Sequence, residues 1–308
     1  MKILFMGTPD FAAESLCALL KAGENVVCVI TQPDKPKNRG MKLLRTPTAK
    51  VADEAKIPVF QPETLKNNAI MPLLTEYNPE LIVVVAYGKI LPKYILDYPK
   101  YGCINIHGSL LPKYRGAAPI QWCIINGDKV SGVTSMYMAE GMDTGEMIIK
   151  SPIQVCDEDN CGTLFVKLSK LGGEVLIETV EKIKNDTVTS VPQNEDEATY
   201  APMLRKEMGR VDWSKSSTDI INLVRGLQPW PSAYSIVNDK RFKIISASHS
   251  DKKGIPGEII SVCNNVIIAA GEGAVSLDVI QFENKNKMNI SDYIRGNPDI
   301  FIKGGIIE

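Results

Sequence analysis

Two histidines occur in this chain of 308 residues, and one of them, His107, stands two residues after Asn105. The run Gly102-Cys103-Ile104-Asn105-Ile106 has the length and apolar content of a short buried strand. Alternate residues of a strand face one way, so Asn105 and His107 share a face. Gly108 and Pro112 then break the strand into a turn. An amide beside an imidazole at the carboxyl end of a strand suits one kind of chemistry. The amide can donate to a developing oxyanion, and the imidazole can move a proton near neutral pH. The same tripeptide also reads as a structural histidine, because buried imidazoles find hydrogen-bond partners.

Other chemistries find less support. The seven cysteines lie at 17, 28, 103, 123, 156, 161 and 263, and none form a Cys-x-x-Cys pair. Cys103 precedes His107 by four residues and Cys156 precedes Cys161 by five, but neither pair has the second half a metal site needs. No metal is expected, and the cysteines read as reduced thiols of a cytoplasmic protein. The first strand–helix turn, Gly7-Thr8-Pro9, lacks the glycine fingerprint that cradles a pyrophosphate, and no phosphate-binding glycine loop with Lys follows elsewhere. Neither NAD nor ATP is therefore expected. The net charge of −1 gives no global attraction to nucleic acid, so any RNA contact must come from local patches. The apolar runs, such as Leu81 to Tyr87, are strand-sized, and no membrane span is expected. Thr8-Pro9-Asp10 ends the first apolar stretch too soon for a signal peptide, leaving a buried first strand.

The elements that must position Asn105 and His107 alternate. Lys2–Met6 predicts a strand and 10–22 a helix, with Phe11, Leu16, Leu19 and Leu20 at helical spacing and Gly23 after it. Strands follow at 26–31, 59, 81–86 and 102–106, and helices at 48–55 and 65–77. This rhythm predicts an α/β fold with a Rossmann-like, doubly wound, mostly parallel sheet, whose ligands sit beyond the carboxyl ends of the strands. The segments 130–138 and 147–155 predict two further strands, antiparallel ones finishing the sheet, and 163–183 a long closing helix. The chain divides by this reading into a first domain over 1–190, a polar linker over 191–204 and a second domain over 205–308. In the second, short alternating segments near 233–238, 242–247, 257–262, 265–270 and 274–280 predict a smaller β-barrel of the OB type.

The longer sequence Asn105-Ile106-His107-Gly108-Ser109-Leu110-Leu111-Pro112, followed by Arg115-Gly116-Ala117-Ala118-Pro119, resembles the signature of the folate-dependent formyltransferases. Gly132-Val133-Thr134 and Met142-Asp143-Thr144-Gly145 match that family downstream. The resemblance spans essentially the full length and implies 10-formyltetrahydrofolate as co-substrate, with Asn105, His107 and Asp143 as catalytic residues. Taken alone, Met-Asp-Thr-Gly reads as a turn. It further implies that Ser109, Leu110, Leu111 and Pro112 line the folate pocket. Tyr87, Ile90 and Leu91 stand at the neighbouring strand tip, where they either wall a pterin slot or pack in the core.

Three features point to the branch of the family that formylates the methionyl group on initiator tRNA. The loop after the second strand carries Lys35, Lys37, Arg39, Lys42 and Arg45 among glycine and proline, which suits phosphate contact but also describes a solvated surface loop. Arg39 falls where the family's functional arginine sits. About a hundred residues follow the catalytic region, and from Arg205 onward 14 Lys and Arg face 12 Asp and Glu. Finally, Val224-Arg225-Gly226-Leu227-Gln228-Pro229-Trp230-Pro231-Ser232-Ala233 resembles the segment that opens the family's second domain, with Trp230, between two prolines, read either as a surface contact or, in preference, as an anchor against the barrel. The alternative is a branch acting on an amino-sugar nucleotide or another small amine. A monomer is expected.

Overall fold

The apolar run after Lys2 becomes an interior strand of a seven-stranded sheet. The computed structural model describes residues 1–37 and 42–307. Up to Ala201 the chain order is β1 (Lys2–Gly7), α1 (Asp10–Lys21), β2 (Asn25–Ile30), β3 (Lys35–Lys37), β4 (Lys42–Leu44), α2 (Pro47–Glu54), β5 (Val59–Phe60), α3 (Met71–Tyr77), β6 (Leu81–Val85), α4 (Lys93–Leu96), β7 (Cys103–His107), β8 (Arg115–Gly116), α5 (Pro119–Ile125), β9 (Val130–Tyr137), β10 (Met147–Gln154), α6 (Cys161–Lys184) and β11 (Tyr200–Ala201). The sheet runs β10-β9-β7-β6-β1-β2-β5, and its pairings from β5 through β7 are parallel. β6 is buried along its whole length, as an interior strand covered on both faces must be. β9 and β10 add antiparallel, as the sequence predicts.

The chain leaves β1 towards β2 and β5, then returns to lay β6 on the other side of β1. That reversal makes the crevice beyond the carboxyl ends of β1 and β6 the natural ligand position. β7 is the next strand over, with Asn105 in register with Val84 of β6 and with Met136 of β9. Behind it, α6 comes close because of a glycine. A Cβ on Gly172 would stand 3.3 Å from Ile106 Cγ2 and 3.3 Å from Phe11 Cζ. Ile106 points away from the Asn105 and His107 face, so this contact fixes the site strand from its back.

The helix predicted over 65–77 begins only at Met71. Asn67 and Asn68 take φ values of 54° and 56°, a left-handed conformation that a helix cannot continue through. The polar run after α6 is also more structured than its composition suggests. It forms a short 3-10 turn over Glu195–Glu197 and then β11, which pairs with β8.

Two compact units emerge. One comprises Met1–Pro119, Val130–Gln154 and Phe165–Ala201; the other comprises Ile120–Lys129, Val155–Leu164 and the chain from Pro202. The second contains α7 (Ser217–Gly226), β12 (Ala233–Val237), β13 (Lys240–Ser250), β14 (Ile259–Val262), β15 (Val266–Ala269), β16 (Ala274–Phe282), β17 (Met288–Asn289) and α8 (Ile290–Gly296). Its antiparallel sheet runs β12-β13-β16-β15-β14, with β17 on β16. Phe242, Ile244, Leu277, Ile280 and Phe301 lie in its apolar core. The anchor expected of Trp230 is filled by Trp213, which is 5% exposed and donates its indole N–H to Ser235 Oγ at 3.0 Å. Trp230 itself is 54% exposed. No helix among the described residues is long and apolar enough to cross a membrane.

Candidate active site

β7 presents Asn105 and His107 on one face, both buried at 9% and 6% exposure. The imidazole Nε2 lies 2.9 Å from the Tyr114 carbonyl oxygen. A carbonyl only accepts, so Nε2 carries the hydrogen and donates, and the neutral ring keeps its lone pair on Nδ1. Asp143 Oδ2 stands 3.7 Å from that nitrogen. When Nδ1 gains a proton, the carboxylate faces the new positive charge. The Gly116 N–H donates to the same Oδ2 at 2.8 Å and so orients the carboxylate. Asp143 and Tyr114 hold φ values of 53° and 61°, strained for residues with a side chain. The structure therefore brings His107 and Asp143 together, with Asn105 beside them. The tautomer is set by Tyr114.

The turn after β7 is pinned from β9. The Thr134 hydroxyl donates to the Ser109 carbonyl at 2.7 Å and accepts from the Leu111 N–H at 3.1 Å. Ser109 Oγ donates to the Lys113 carbonyl at 2.7 Å, so this hydroxyl is engaged inside the turn. Ser109, Leu111 and Pro112 are buried, and Leu110 is half-buried above Gly132, where any Cβ would collide with it.

Tyr87, Ile90 and Leu91 do not gather on one wall. Tyr87 and Leu91 are 2% and 4% exposed and join the apolar core beside Ile82 and Ile95, while Ile90 is 77% exposed. Burial pushes the Tyr87 phenol up to about 12. What Tyr87 offers the crevice is its carbonyl, which accepts from Thr8 Oγ1 at 3.3 Å and Gln32 Nε2 at 3.0 Å.

The basic loop forms the hairpin β3–β4, with Lys35 exposed. Arg45 behaves otherwise than a phosphate contact. Its Nε and Nη2 donate to the two Asp53 carboxylate oxygens, each at 2.8 Å, and Nη1 donates to Gln61 Oε1 at 3.1 Å. The guanidinium holds the Asp53 carboxyl below its usual range. Arg45 thus anchors the base of the hairpin. Lys37 and Lys42 pair through their backbones, and their side chains, like the whole of Arg39, lie outside the described residues.

Burial pushes the Cys103 thiol up to about 12, and its Sγ–H donates to the Ile95 carbonyl at 3.5 Å. Among the described residues, no group of three or more His, Cys, Asp and Glu could hold a metal ion. Sequence reasoning missed Thr134, the Tyr114 carbonyl, Gly116, Arg115 and Gln193. Arg115 and Gly116 lie inside the matched motif and Thr134 inside the downstream match, and that was the available signal.

A doubly wound α/β sheet thus carries an amide, an imidazole and a carboxylate beyond its strands' carboxyl ends. Residues 1–180 match the formyl transferase family model, and residues 203–298 match the model of the formyl transferase C-terminal domain. The chain belongs to the formyl transferase family. It is 47% identical over 300 residues to the methionyl-tRNA formyltransferase of Alkaliphilus oremlandii, covering 96% of this chain and 97% of that one. It is 49% identical over 294 residues to the enzyme of the same name from Thermodesulfovibrio yellowstonii, covering 96% and 95%. Among solved structures, the sugar 3N-formyl transferase WlaRD shares the fold at a TM-score of 0.69 and 22% identity, over 93% of this chain and 99% of that chain. HypX from Aquifex aeolicus in complex with tetrahydrofolic acid shares it at 0.66 and 19%, over 98% of this chain and 48% of that chain.

Proposed function

We propose that this enzyme transfers a formyl group from 10-formyltetrahydrofolate to the α-amino group of methionyl-tRNA. The substrate pair is carried by the near full-length similarity to enzymes of that name. The chemistry is carried by one observation: Nε2 of His107 is tethered to the Tyr114 carbonyl, which turns Nδ1 towards Asp143. In this reading the Asn105 amide donates to the formyl oxygen as the amine adds and negative charge builds there, an interaction worth about 10²–10³ in rate. Nδ1 of His107 takes a proton from the newly formed ammonium, and Asp143 balances the imidazolium. The proton then returns to the departing folate nitrogen. No covalent link to the enzyme is needed.

The residues present fit a folate beside this trio. Leu110, half-exposed and backed by buried Leu111 and Pro112, offers an apolar edge, and the exposed Ile90 a second. Tyr87 and Leu91 would support that edge from the core. Lys35, with Lys37, Arg39 and Lys42, would meet phosphates of the tRNA, and the second unit would bind it too. The enzyme works in the cytoplasm as a single chain in this proposal.

Incubation with charged initiator tRNA and 10-formyltetrahydrofolate, scored for N-formylmethionine, tests the substrate assignment. Formyl transfer to an amino-sugar nucleotide with none to the charged tRNA would sink it.

A further inference from the structure

We propose that Arg115, Gln193 and Glu195 form a positioning relay that holds Asp143 against His107. The proposal rests on the reading of Asp143 and His107 as the proton-handling pair. Arg115 sits in the signature motif, yet its side chain is fully buried, which for a guanidinium demands a complete set of partners. Its Nη1 and Nη2 donate to the two Glu195 carboxylate oxygens, both at 2.8 Å, and its Nε donates to Gln193 Oε1 at 3.0 Å. That last bond fixes which end of the Gln193 amide faces where. Gln193 Nε2 donates to the Asp143 carbonyl at 2.7 Å and to the Gly145 carbonyl at 2.8 Å.

The relay thus grips the backbone of the catalytic turn, not its carboxylate. The turn needs such a grip. Asp143 is held in a left-handed conformation, and Gly145 passes so close to the Tyr137 carbonyl that any side chain would collide. The motif's next residue completes the arrangement, since Gly116 N–H orients the Asp143 carboxylate itself. The same strap also reaches the histidine's tether. Thr199 Oγ1 accepts from the Tyr114 N–H at 2.9 Å, and the Thr199 carbonyl accepts from the Arg115 N–H at 2.8 Å. Residues 193–199, polar and unremarkable in sequence, therefore hold both partners of the imidazole.

The test uses the full chain and compares kcat and KM for both substrates in Gln193→Met, Glu195→Gln, Asp143→Asn and the double variants Gln193→Met/Asp143→Asn and Glu195→Gln/Asp143→Asn. Gln193→Met keeps the side-chain volume and removes every polar contact. It should lower kcat about 10- to 100-fold, the scale of a misplaced catalytic group. Both KM values should stay within about twofold, as expected when only transition-state contacts are lost. In the Asp143→Asn background the same change should cost nothing further, because a residue acting through Asp143 has no effect once Asp143 is disabled. Glu195→Gln alters a largely exposed carboxylate, keeps one oxygen acceptor for Arg115 and should give a smaller loss with the same dependence on Asp143. It decides the matter if Gln193→Met unfolds. A wild-type kcat in Gln193→Met, or a loss of equal proportion in both backgrounds, overturns the relay while leaving the catalytic pair intact. An Asp143→Asn enzyme that turns over normally would instead remove the catalytic reading, and the relay with it.

Discussion

The carbonyl of Tyr114 decides what His107 can do. Because that carbonyl can only accept, the imidazole is fixed as an Nε2–H donor, and in the proposed mechanism the proton it exchanges is the one on Nδ1, opposite Asp143. Replacing His107 with Asn should therefore lower kcat by about 10²–10⁴, the value of a positioned acid–base group, with little change in KM. Asn105→Ala should cost about 10²–10³ by the loss of an oxyanion donor. Single-turnover rates with saturating substrates measure both, and a His107→Asn enzyme of undiminished rate would remove the proton shuttle. Glu195 gives a second residue-scale expectation. The bidentate Arg115 holds its carboxyl below the usual glutamate range. A depressed carboxyl stabilises the fold above its ordinary value of about 4.3, and that contribution is lost as pH falls through the lowered one. Unfolding midpoints of the wild type and Glu195→Gln should differ by a constant amount from neutral pH to about 4.5 and converge below it. A gap that persists into strong acid would show that the bond contributes through packing instead of charge. Residue types at close spacing made Asn105 and His107 legible in the sequence. The Arg115–Gln193 contact was not, because it closes over 78 residues and one partner sits in a run with a linker's composition.

At the scale of elements, strand and helix periods located all seven strands of the sheet. What they missed has local causes. The turn at Asn67 and Asn68 shortened α3, since left-handed asparagines leave no mark on apolar periodicity. The hairpin β3–β4 escaped notice because its strands are three residues each and rich in lysine. Its base is held by a network that spans both ends. Asp34, before the hairpin, accepts from the Thr46 N–H at 3.1 Å and from Gln61 Nε2 at 2.8 Å, and Arg45, after it, reaches Gln61 and Asp53. Arg45→Ala should therefore loosen the hairpin as a whole. Proteolysis between Lys35 and Leu44 should quicken, while the salt dependence of tRNA binding stays as it was. Lys35→Ala should do the reverse, leaving proteolysis unchanged and lowering the salt slope by about one, as expected for the loss of one phosphate contact. If Arg45→Ala lowers the slope and spares the hairpin, its guanidinium meets RNA after all.

The whole molecule carries a net charge of −1, which cannot draw in a polyanion, so the position of its cations matters more than their number. In the second unit Lys206, Arg241 and Lys243, against the single acid Glu283, line an open basin of about 420 Å³ together with the exposed Trp230. Arg241 lies over the Tyr234 ring, 3.6 Å from its centroid, which fixes its guanidinium without neutralising it. Cations beside an accessible aromatic face are the combination that holds a nucleic-acid backbone and stacks on a base. Trp230 was legible as unusual in sequence, but its exposure followed only from the fold, because Trp213 already fills the anchoring position. The basin lies in a unit that contributes none of Asn105, His107 and Asp143, so binding and chemistry should separate under mutation. Replacing Lys206 and Lys243 together by Ala should raise KM for methionyl-tRNA on the order of tenfold at moderate salt, with the gap narrowing as salt rises and screens the wild type. The KM for 10-formyltetrahydrofolate and the kcat at saturating tRNA should hold. An unchanged KM for methionyl-tRNA across the salt range would mean that tRNA is held without this basin, leaving the lysine hairpin as the main electrostatic contact.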